Sequence, residues 1–381
     1  MRRRAPAPFA GKPLVNPLYQ SVVYGSDTPD ALDAIYEGDP GYTYSREGHP
    51  NARTLAAQLD AMEGAEGGVM TSTGIAAVSL ALLSVLSAGD HVLGSSQLYG
   101  RSLRLMKEEL PRLGITTSFF DPTDIASVEA VLRPETKAIL VEVVSNPTLR
   151  VADMEGLVAL AQARGITLIV DNTFTTPKAY QPLAQGADIV LHSVTKLLSG
   201  HSDAMLGWVA AKDPDVAARL DVLAATWGMS AAPFDCWLAE RGLLSFDLRH
   251  ERSQANAAAL AAALSEMPGV TRVVYPGRPD HPDHNRAAAL LGSDMGTMVS
   301  FEIPGGRDAA NRLVSAADVA FAPTLGDIST TLAHPASSSH RAMTEAERAE
   351  IGITEGFLRV SVGVEPADHL VEAFRVAVSA A

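Results

Sequence analysis

The stretch ITLIVDNTFTTPKAYQPLAQGADIVLHSVTK, residues 166–196, decides the fold class. It contains two short apolar runs, ITLIV at its start and DIVLH near its end, which are typical of buried β-strands. A helix-like run at 179–185 lies between them. Because strand–helix–strand alternation joins neighbouring parallel strands, the stretch predicts an α/β unit. Asp171 ends the first run and Lys196 follows the second, so this unit also carries a carboxylate and an amine at its predicted strand ends.

The same alternation extends over much of the chain. Further helix-like runs lie at 52–63, 75–87, 100–113, 124–132 and 153–164, and further strand-like runs are GGVMT, HVLGS, ITTSFF, KAILVEVV and MLGWVAA. This pattern predicts an α/β fold with a mostly parallel sheet flanked by helices.

The texture of the sequence divides the chain into three predicted parts. Residues 1–50 are rich in Pro, Gly and Tyr and predict an extended N-terminal arm. Residues 51–245 carry the alternating pattern and predict a large domain. One long helix is expected over PFDCWLAERGLLSFDLRHERSQANAAALAAALSEM, from Pro233 onward, and residues 246–381 predict a smaller α+β C-terminal domain.

Composition narrows the possible partners. The formal net charge is −14, and an acidic surface disfavours nucleic acid or an anionic membrane as the main partner. The single cysteine, Cys236, excludes an intrachain disulfide and fits a reducing compartment. No apolar run follows the basic residues at 2–4, so no secretory signal is predicted and we expect a cytoplasmic protein. Polar residues interrupt the apolar segment 69–89, which therefore predicts a strand and a helix rather than a membrane span.

Polar residues follow the predicted strands at their carboxyl ends, where open parallel sheets bind ligands. They are Asp171 and Asn172 after ITLIV, Asn146 after KAILVEVV, Ser193, Thr195 and Lys196 after DIVLH, and Ser72, Thr73 and Gly74 after GGVM. A carboxylate, an amine, hydroxyl groups and a helix N-terminus are thus expected at one edge of the sheet.

One cofactor would use all of these groups. The helix that begins near Gly74 offers free N–H groups and a positive dipole end to a phosphate, and Ser193 and Thr195 add hydroxyl donors. Asp171 can pair with a protonated ring nitrogen, and Lys196 can form a Schiff base with an aldehyde. A phosphorylated pyridine aldehyde has these three parts, so the pattern predicts pyridoxal 5'-phosphate, an electron sink for carbanions.

Other interpretations stay open on the residues alone. A strand-end aspartate is often a helix cap, and a lysine after a strand is usually a solvated charge. A nucleotide-binding oxidoreductase also has a parallel sheet, but the sequence lacks both Gly-x-Gly-x-x-Gly and Gly-x4-Gly-Lys-Ser/Thr. A protein that binds the cofactor without turnover is a third possibility, which the full set of chemical residues disfavours. His281 and His284 have no third ligand nearby, so no metal site is predicted.

Several longer motifs lie in a recognisable order. They are YTYSREGHPN, TSTGIAAV, LYGRS, SNPT, DNTFTTP, HSVTKLLSGHSDAMLG, HPASSSH and LRVSVGVE. Over Tyr42 to Glu365 the chain resembles the pyridoxal-phosphate enzymes of cysteine and methionine metabolism, which include cystathionine γ-synthase, γ-lyase and β-lyase, methionine γ-lyase and homoserine sulfhydrylases. The resemblance implies the fold of the fold-type I PLP-dependent transferases.

The resemblance also implies roles at the cofactor. Lys196 matches the Schiff-base lysine that later moves protons between substrate carbons, and Asp171 matches the partner of the ring nitrogen. Tyr99 matches a tyrosine that stacks on the ring and takes part in proton transfer. The remaining matches are phosphate ligands: Gly74 and Ile75 through their backbone, and Ser193 and Thr195 through their hydroxyl groups.

Further matches concern the substrate and a neighbouring subunit. Arg359 matches the clamp for the substrate α-carboxylate, a task that suits a bidentate guanidinium, and Asn146 matches an asparagine near cofactor and substrate. Tyr44 and Arg46 match a pair that reaches the phosphate of a neighbouring subunit. The resemblance therefore implies a homodimer with shared sites, and the family's usual assembly is a homotetramer.

Departures from the family pattern bear on the substrate. His49, Pro50 and Asn51 replace the usual Asn-Pro-Thr, and Arg101 stands where methionine γ-lyases often carry cysteine. The segment 323–331, which includes Thr324 and Leu325 and is expected to line the substrate pocket, departs from the usual Ser-Leu-Gly-Gly-x-Glu-Ser-Leu. SVTK and ITEGFLRVSVGVE favour a cystathionine γ-synthase or γ-lyase. The alternatives are a β-lyase, which ITTSFFDP and GHSDAM resemble, and an O-acylhomoserine sulfhydrylase, whereas methionine γ-lyase is disfavoured.

Overall fold

Two β-sheets and the helices around them form the part of the chain that the computed structural model describes, residues 13–381. Residues 1–12 of the predicted arm, with the arginines at 2–4, lie outside the described residues. The larger sheet comprises seven strands: Val69–Thr71 (β1), His91–Ser95 (β2), Thr116–Phe120 (β3), Thr136–Glu142 (β4), Thr167–Asp171 (β5), Ile189–His192 (β6) and Gly207–Ala211 (β7). Their order across the sheet is β1-β7-β6-β5-β4-β2-β3.

The direction of these strands brings several loops together. β7 runs antiparallel to its neighbours β1 and β6, and the other adjacent pairs are parallel. The carboxyl ends of β1, β2, β4, β5 and β6 therefore lie at one edge of the sheet. This confirms the predicted α/β class with a mostly parallel sheet.

Residues 13–381 form fourteen α-helices, and those that pack on the large sheet lie on both of its faces. The helices are Pro29–Tyr36 (α1), Pro50–Glu63 (α2), Gly74–Val85 (α3), Gly100–Arg104 (α4), Ile125–Glu129 (α5), Met154–Arg164 (α6), Thr176–Ala179 (α7), Pro214–Thr226 (α8), Pro233–Leu243 (α9), Phe246–Glu266 (α10), His284–Leu291 (α11), Gly306–Ala316 (α12), Glu345–Glu350 (α13) and Ala367–Ser379 (α14). Short π- and 3₁₀-helical turns cover Leu105–Glu109, Leu110–Leu113 and Pro335–Ser337.

The alternating side chains of the central strands explain why both faces are covered. In β4, Ile139 and Val141 belong to one buried apolar cluster, while Ala138 and Leu140 belong to another. Successive residues of a strand point to opposite faces, so a strand that is apolar throughout must be buried on both. The second cluster includes the apolar side of α3, for example Leu80.

The second sheet belongs to the C-terminal part of the chain. Its strands are Arg272–Val274 (β8), Met298–Glu302 (β9), Ala320–Phe321 (β10), Thr331–Ala333 (β11) and Phe357–Ser361 (β12), in the order β10-β11-β12-β9-β8. β12 lies in the middle and pairs antiparallel with β9 and β11. A separate apolar cluster, which includes Phe301 and Phe374, packs this sheet against α10, α12 and α14.

Four predicted segments differ from the structure. The long helix expected from Pro233 is two helices, α9 and α10, because the chain turns at Leu244 and Ser245, whose N–H donates to the Gly242 carbonyl. The helix expected at 100–113 changes from α to π to 3₁₀ geometry, and Pro111 in its last turn has no N–H for an α-helical bond.

The other differences involve short elements. The helix expected at 179–185 is replaced by α7, which ends at Ala179, and by turns up to Gly186. Within residues 13–50, the described part of the arm, there is one two-turn helix, α1, whose N-terminus is capped by the Thr28 side chain. β10 and β11 were not predicted, since two or three residues carry too little pattern.

Among residues 13–381, no helix is both long enough and apolar enough to cross a bilayer. In the same range, no three His, Cys, Asp or Glu side chains are grouped closely enough to hold a metal ion.

Candidate active site

The predicted residues gather where five parallel strands end. Asp171 is the last residue of β5, Asn146 lies in the loop after β4, and Tyr99 lies in the loop after β2. Gly74 begins α3 directly after β1, and Lys196 lies in the turn after β6. The small domain adds Arg359 from β12, which binds Asn146 across the gap between the two sheets.

Lys196 is held in a tight turn and points to the small domain. Its N–H donates to the Ser193 carbonyl at 3.1 Å, and its own carbonyl accepts from Gly200 N–H at 2.8 Å. The ammonium Nζ lies 3.5 Å from the Thr324 hydroxyl. Burial, with a smaller contribution from the Arg359 charge, lowers the pKa of the Lys196 amine. A lowered pKa increases the neutral fraction, which is the form that attacks an aldehyde or accepts a proton.

Gly326 lets the segment after Thr324 pack directly on the lysine turn. A Cβ at this position would lie 2.5 Å from Leu197 N and 2.6 Å from the Lys196 carbonyl carbon, and the backbone has φ +83°. Only glycine fits both the space and the dihedral angle. The Gly326 N–H donates to the Ser361 hydroxyl at 2.8 Å, so β12 holds this segment against the lysine turn.

Arg359 forms the polar wall opposite the strand ends. Its two terminal nitrogens donate to the Asn146 side-chain oxygen and to the Thr324 carbonyl, both at 2.6 Å. The remaining nitrogen, Nε, is buried and has no hydrogen-bond partner among the described residues. Complete burial lowers the pKa of the guanidinium to about 10, so it stays charged at neutral pH. A buried charge with an unused donor can bind a carboxylate.

Asp171 is a carboxyl group whose surroundings hold it in place. One oxygen accepts from the N–H of Thr173 at 3.0 Å and from the hydroxyl of the same residue at 2.5 Å. Burial raises the pKa of Asp171, whereas the Thr173 hydrogen bonds and the nearby His192 favour its charged form. A protonated ring nitrogen beside it would favour the charged form further, since an opposite charge stabilises a buried carboxylate.

The predicted phosphate site lies at the start of α3. Ala76 N–H is capped by the Thr73 hydroxyl, whereas Gly74 and Ile75 precede the first backbone bond within the helix. A Cβ on Gly74 would lie 2.6 Å from Ser193 Cβ, so the glycine brings the two predicted ligands into contact. The Thr195 hydroxyl donates to the Leu206 carbonyl at 3.1 Å and accepts from its N–H at 2.8 Å. To bind a phosphate, this hydroxyl would have to turn its proton away from Leu206.

Tyr99 and Leu325 differ in solvent exposure. The Tyr99 residue is 37% exposed at the start of α4. Leu325 is 6% exposed and its side chain packs in the apolar core of the large domain. Thr324 is therefore the member of its segment with polar groups directed to Lys196 and Arg359.

Tyr44 and Arg46 lie apart from these residues within one chain. The Arg46 guanidinium stacks on the Tyr44 ring at 5.4 Å and donates to the Ala225 carbonyl at 3.0 Å. Both side chains line a cavity of about 550 Å³, and the described residues that line it do not include Lys196 or Asp171.

Two features near the site were not predicted as part of it. Glu142, the last residue of β4, accepts the Tyr99 N–H at 2.6 Å. His340, the last residue of the HPASSSH motif, is buried, and burial together with the charges of Arg359 and Arg348 lowers its pKa to about 4. An acid inside an apolar strand was the available signal for Glu142, whereas the position of His340 depends on long-range packing.

The residues present fit pyridoxal phosphate. The site has an amine with a lowered pKa, a buried carboxyl group, and a helix N-terminus that Gly74 keeps open beside Ser193. Lys196 would hold the aldehyde carbon, Asp171 the ring nitrogen, and the start of α3 the phosphate.

Comparisons with known proteins agree with this geometry. The sequence model of the family described as "Cys/Met metabolism PLP-dependent enzyme" matches residues 6–379. Cystathionine β-lyase MetC of Bacillus subtilis is 41% identical over 343 residues, 90% of this chain and 87% of the relative. The O-succinylhomoserine sulfhydrylase of Pseudomonas aeruginosa is 40% identical over 93% of this chain and 88% of the relative.

Solved structures share the whole fold. Cystathionine γ-synthase of Xanthomonas oryzae pv. oryzae, in complex with aminoacrylate and cysteine, has a TM-score of 0.91 and 36% identity, covering 96% of this chain and 92% of that one. An O-acetylhomoserine (thiol)-lyase of Campylobacter jejuni, described as putative and containing a pyridoxyl-lysine phosphate, has a TM-score of 0.92 and 29% identity over 96% and 95% of the two chains. The chain therefore belongs to the pyridoxal-phosphate-dependent enzymes of cysteine and methionine metabolism.

Proposed function

We propose that the protein is a trans-sulfuration enzyme of the cystathionine γ-synthase or γ-lyase type, which eliminates or replaces the group on Cγ of a sulfur amino acid or an activated homoserine. Membership of the family makes it a pyridoxal-phosphate-dependent enzyme that acts on sulfur amino acids. The proposal adds the position of bond cleavage. That position is supported by the motifs SVTK and ITEGFLRVSVGVE, which resemble the γ-enzymes, and by the likeness of the fold to a cystathionine γ-synthase. The buried Lys196 amine with its lowered pKa supports the chemistry that the β- and γ-enzymes share.

The substrate α-carboxylate binds at Arg359 in this proposal. The unused Nε donor of Arg359 is available to it, and the bonds to Asn146 and Thr324 fix the plane of the guanidinium. Because Thr324 also lies beside Lys196 Nζ, the carboxylate site and the amine have a fixed separation. An amino acid would thus present its Cα to the lysine.

Different residues of the protein have different roles in proton transfer. Pyridoxal phosphate, when bound here, would supply an electron sink for a carbanion at Cα of the substrate. Asp171 would keep the ring nitrogen protonated, and the Tyr99 ring would stack on the cofactor. Lys196, once free, takes a proton from Cα as a general base. γ-Chemistry also requires removal of a second proton, at Cβ. The lysine amine can reach this carbon because it is carried by four flexible methylene groups.

The two possible eliminations leave different products. γ-Elimination of cystathionine breaks the bond from sulfur to Cγ and, with one water, yields cysteine, 2-oxobutyrate and ammonia. β-Elimination breaks the bond from sulfur to Cβ and, with one water, yields homocysteine, pyruvate and ammonia. The first needs Lys196 at two carbons, whereas the second needs it at one.

Two alternatives have specific support. A cystathionine β-lyase-type activity is favoured by the 41% identity to the B. subtilis β-lyase. An O-acylhomoserine sulfhydrylase is favoured by the 40% identity to the P. aeruginosa enzyme. Methionine γ-lyase is disfavoured because Arg101 stands where those enzymes often carry cysteine.

The keto acid formed from L-cystathionine tests the proposal. The cofactor-loaded protein is expected to release 2-oxobutyrate, and the Lys196→Ala variant is expected to release none. Pyruvate from the wild-type protein would replace the proposal with the β-lyase alternative. If neither acid forms, O-succinyl- and O-acetylhomoserine with sulfide are tested next, and consumption of these alone would identify a sulfhydrylase.

We further propose that each site is completed by a second copy of the chain, in a homodimer that pairs into a homotetramer. Tyr44 and Arg46 line a cavity whose described lining residues do not include Lys196 of the same chain. To bind the phosphate of a neighbour's cofactor, Arg46 would give up its hydrogen bond to the Ala225 carbonyl. Mixing the Lys196→Ala and Arg46→Ala variants after mild dissociation is the test. Mixed dimers would have one intact site and regain activity, whereas a site built from one chain would regain none.

A further inference from the structure

Glu142 occupies a buried position beside the predicted ring-nitrogen partner. It ends β4, is 8% exposed, and lies in register with Asp171 at the end of β5. Paired residues of neighbouring strands are about 5 Å apart and point to the same face of the sheet. Two carboxyl groups therefore lie side by side in the interior, although the chemistry proposed above uses only Asp171.

The contacts of Glu142 lead to two other site residues. Its Oε1 accepts the N–H of Tyr99 at 2.6 Å. The backbone N–H of Asn146, four residues further along the chain, lies close enough to this carboxyl group to lower its pKa. Asn146 in turn accepts from Arg359 at 2.6 Å. One side chain is thus connected to the cofactor face through Tyr99 and to the carboxylate pocket through Asn146.

The surroundings favour an uncharged Glu142. Burial, and then the charge of Asp171, raise the pKa of Glu142 well above its usual range. Asp171 receives two hydrogen bonds from Thr173 and lies near His192, which favour its charged form. Because two adjacent buried carboxylates repel, the proton is held by Glu142 and the charge by Asp171. A protonated carboxyl group still offers its carbonyl oxygen to an N–H donor.

We propose that Glu142 is a positioning residue that fixes Tyr99 through a carboxyl oxygen rather than through a charge, and that the same carboxyl group supports the loop of Asn146. This inference rests on the proposed function, since Tyr99 and Asn146 matter only if cofactor and amino acid bind at this site. Its role is to set distances, and it does not touch the reacting atoms.

Two variants of equal length separate the oxygen from the charge. Glu142→Gln keeps the carbonyl oxygen and has no charge, whereas Glu142→Met has a similar size and no oxygen. We expect E142Q to bind pyridoxal phosphate and substrate within about threefold of the wild type. E142M is expected to raise the dissociation constant of pyridoxal phosphate and the KM of the amino acid by about 10- to 100-fold, the effect of one lost hydrogen bond to a buried group.

The measurements are a titration of each apo-variant with pyridoxal phosphate, followed by its visible absorption, and the steady-state kcat and KM. Equal values for E142Q and E142M, whether both normal or both impaired, would overturn the proposal. An impaired E142Q would show that the charge matters rather than the oxygen. If E142M does not fold, Glu142→Asp replaces it, and an intact E142D or an impaired E142Q would likewise overturn the proposal.

A matched control removes a similar bond at the other edge of the sheet. Asp188 precedes β6 and accepts the Leu168 N–H at 2.7 Å. Asp188→Ala is expected to leave the cofactor titration and KM unchanged. The wild-type titration and product assay test the proposed function separately. If the wild type is active and the Glu142 variants have unchanged cofactor affinity and KM, this inference alone is refuted.

Discussion

Replacing Arg359 with lysine keeps a positive charge in the small domain but removes the planar fork of the guanidinium. Arg359 uses two nitrogens to hold Asn146 and Thr324, each at 2.6 Å, and leaves Nε for the substrate. A lysine has one nitrogen and cannot reach all three positions at once. We therefore expect the α-carboxylate to lose one charge-assisted hydrogen bond.

The size of the effect follows from that single bond. A hydrogen bond to a charged group contributes about 1.5–3 kcal/mol, which corresponds to a fall in kcat/KM of about 10- to 150-fold. The loss should lie mainly in KM, because the carboxylate is bound in the ground state as well as in the transition state. Complete burial of Arg359 limits rescue by water, which favours the upper part of this range.

Steady-state kinetics on the cofactor-loaded variant measure this effect. Arg312→Lys is the control, since Arg312 is exposed and donates to the carbonyl of the C-terminal residue Ala381. Inhibition by an analogue with a carboxamide in place of the carboxylate should change little between wild type and R359K. A wild-type KM in R359K, or an equal loss for carboxylate and carboxamide, would refute the assignment of Arg359 as the carboxylate clamp.

Three further changes have defined outcomes. Lys196→Ala should lower turnover by at least about 100-fold, which is the lower limit for removal of a general base. The apo-protein should still unfold cooperatively, and substantial remaining activity would contradict the role of Lys196. Gly326→Ala should lower the free energy of unfolding by about 2–4 kcal/mol, because the added Cβ would lie 2.5 Å from Leu197 N and the backbone has φ +83°. A denaturant titration measures this, and an unchanged midpoint would contradict the packing described here. His340 has a pKa of about 4 in the folded protein against 6.5 in the unfolded chain, because its buried site disfavours the charged ring. The free energy of unfolding is therefore expected to fall by about 3 kcal/mol as the pH is lowered from 6.5 to 4, and to be unaffected by this group above pH 6.5. His340→Gln should reduce this acid sensitivity in unfolding curves measured across that range, and an identical pH profile would refute it.

The strands and the residues at their ends could be predicted because they are local patterns. ITLIV followed by Asp171, and DIVLH followed by the lysine turn, combine an apolar run with a polar end, and the parallel sheet then brings these ends together. The contact between Arg359 and Asn146 was within reach only through the family resemblance. These residues are 213 positions apart, and no local pattern relates them.

The unpredicted features depend on tertiary packing. The division between α9 and α10 interrupts a continuous helical pattern, and Leu244 at the break is 82% exposed. The fit of Gly326 against the lysine turn joins two distant segments. Glu142 could have been singled out as a carboxylate inside an apolar strand, but its link to Tyr99 becomes visible only when β2 and β4 are adjacent.

Reductive trapping of the cofactor tests the central claim, that Lys196 carries pyridoxal phosphate. The loaded protein is reduced with borohydride, digested, and the modified peptide is identified by mass spectrometry. We predict a single phosphopyridoxyl group on the peptide that contains Lys196, and none in the Lys196→Ala variant. Attachment to a different residue, such as Lys178, which pairs with Asp247 and Glu251, or no stable attachment in a protein that turns over its substrate, would contradict the account.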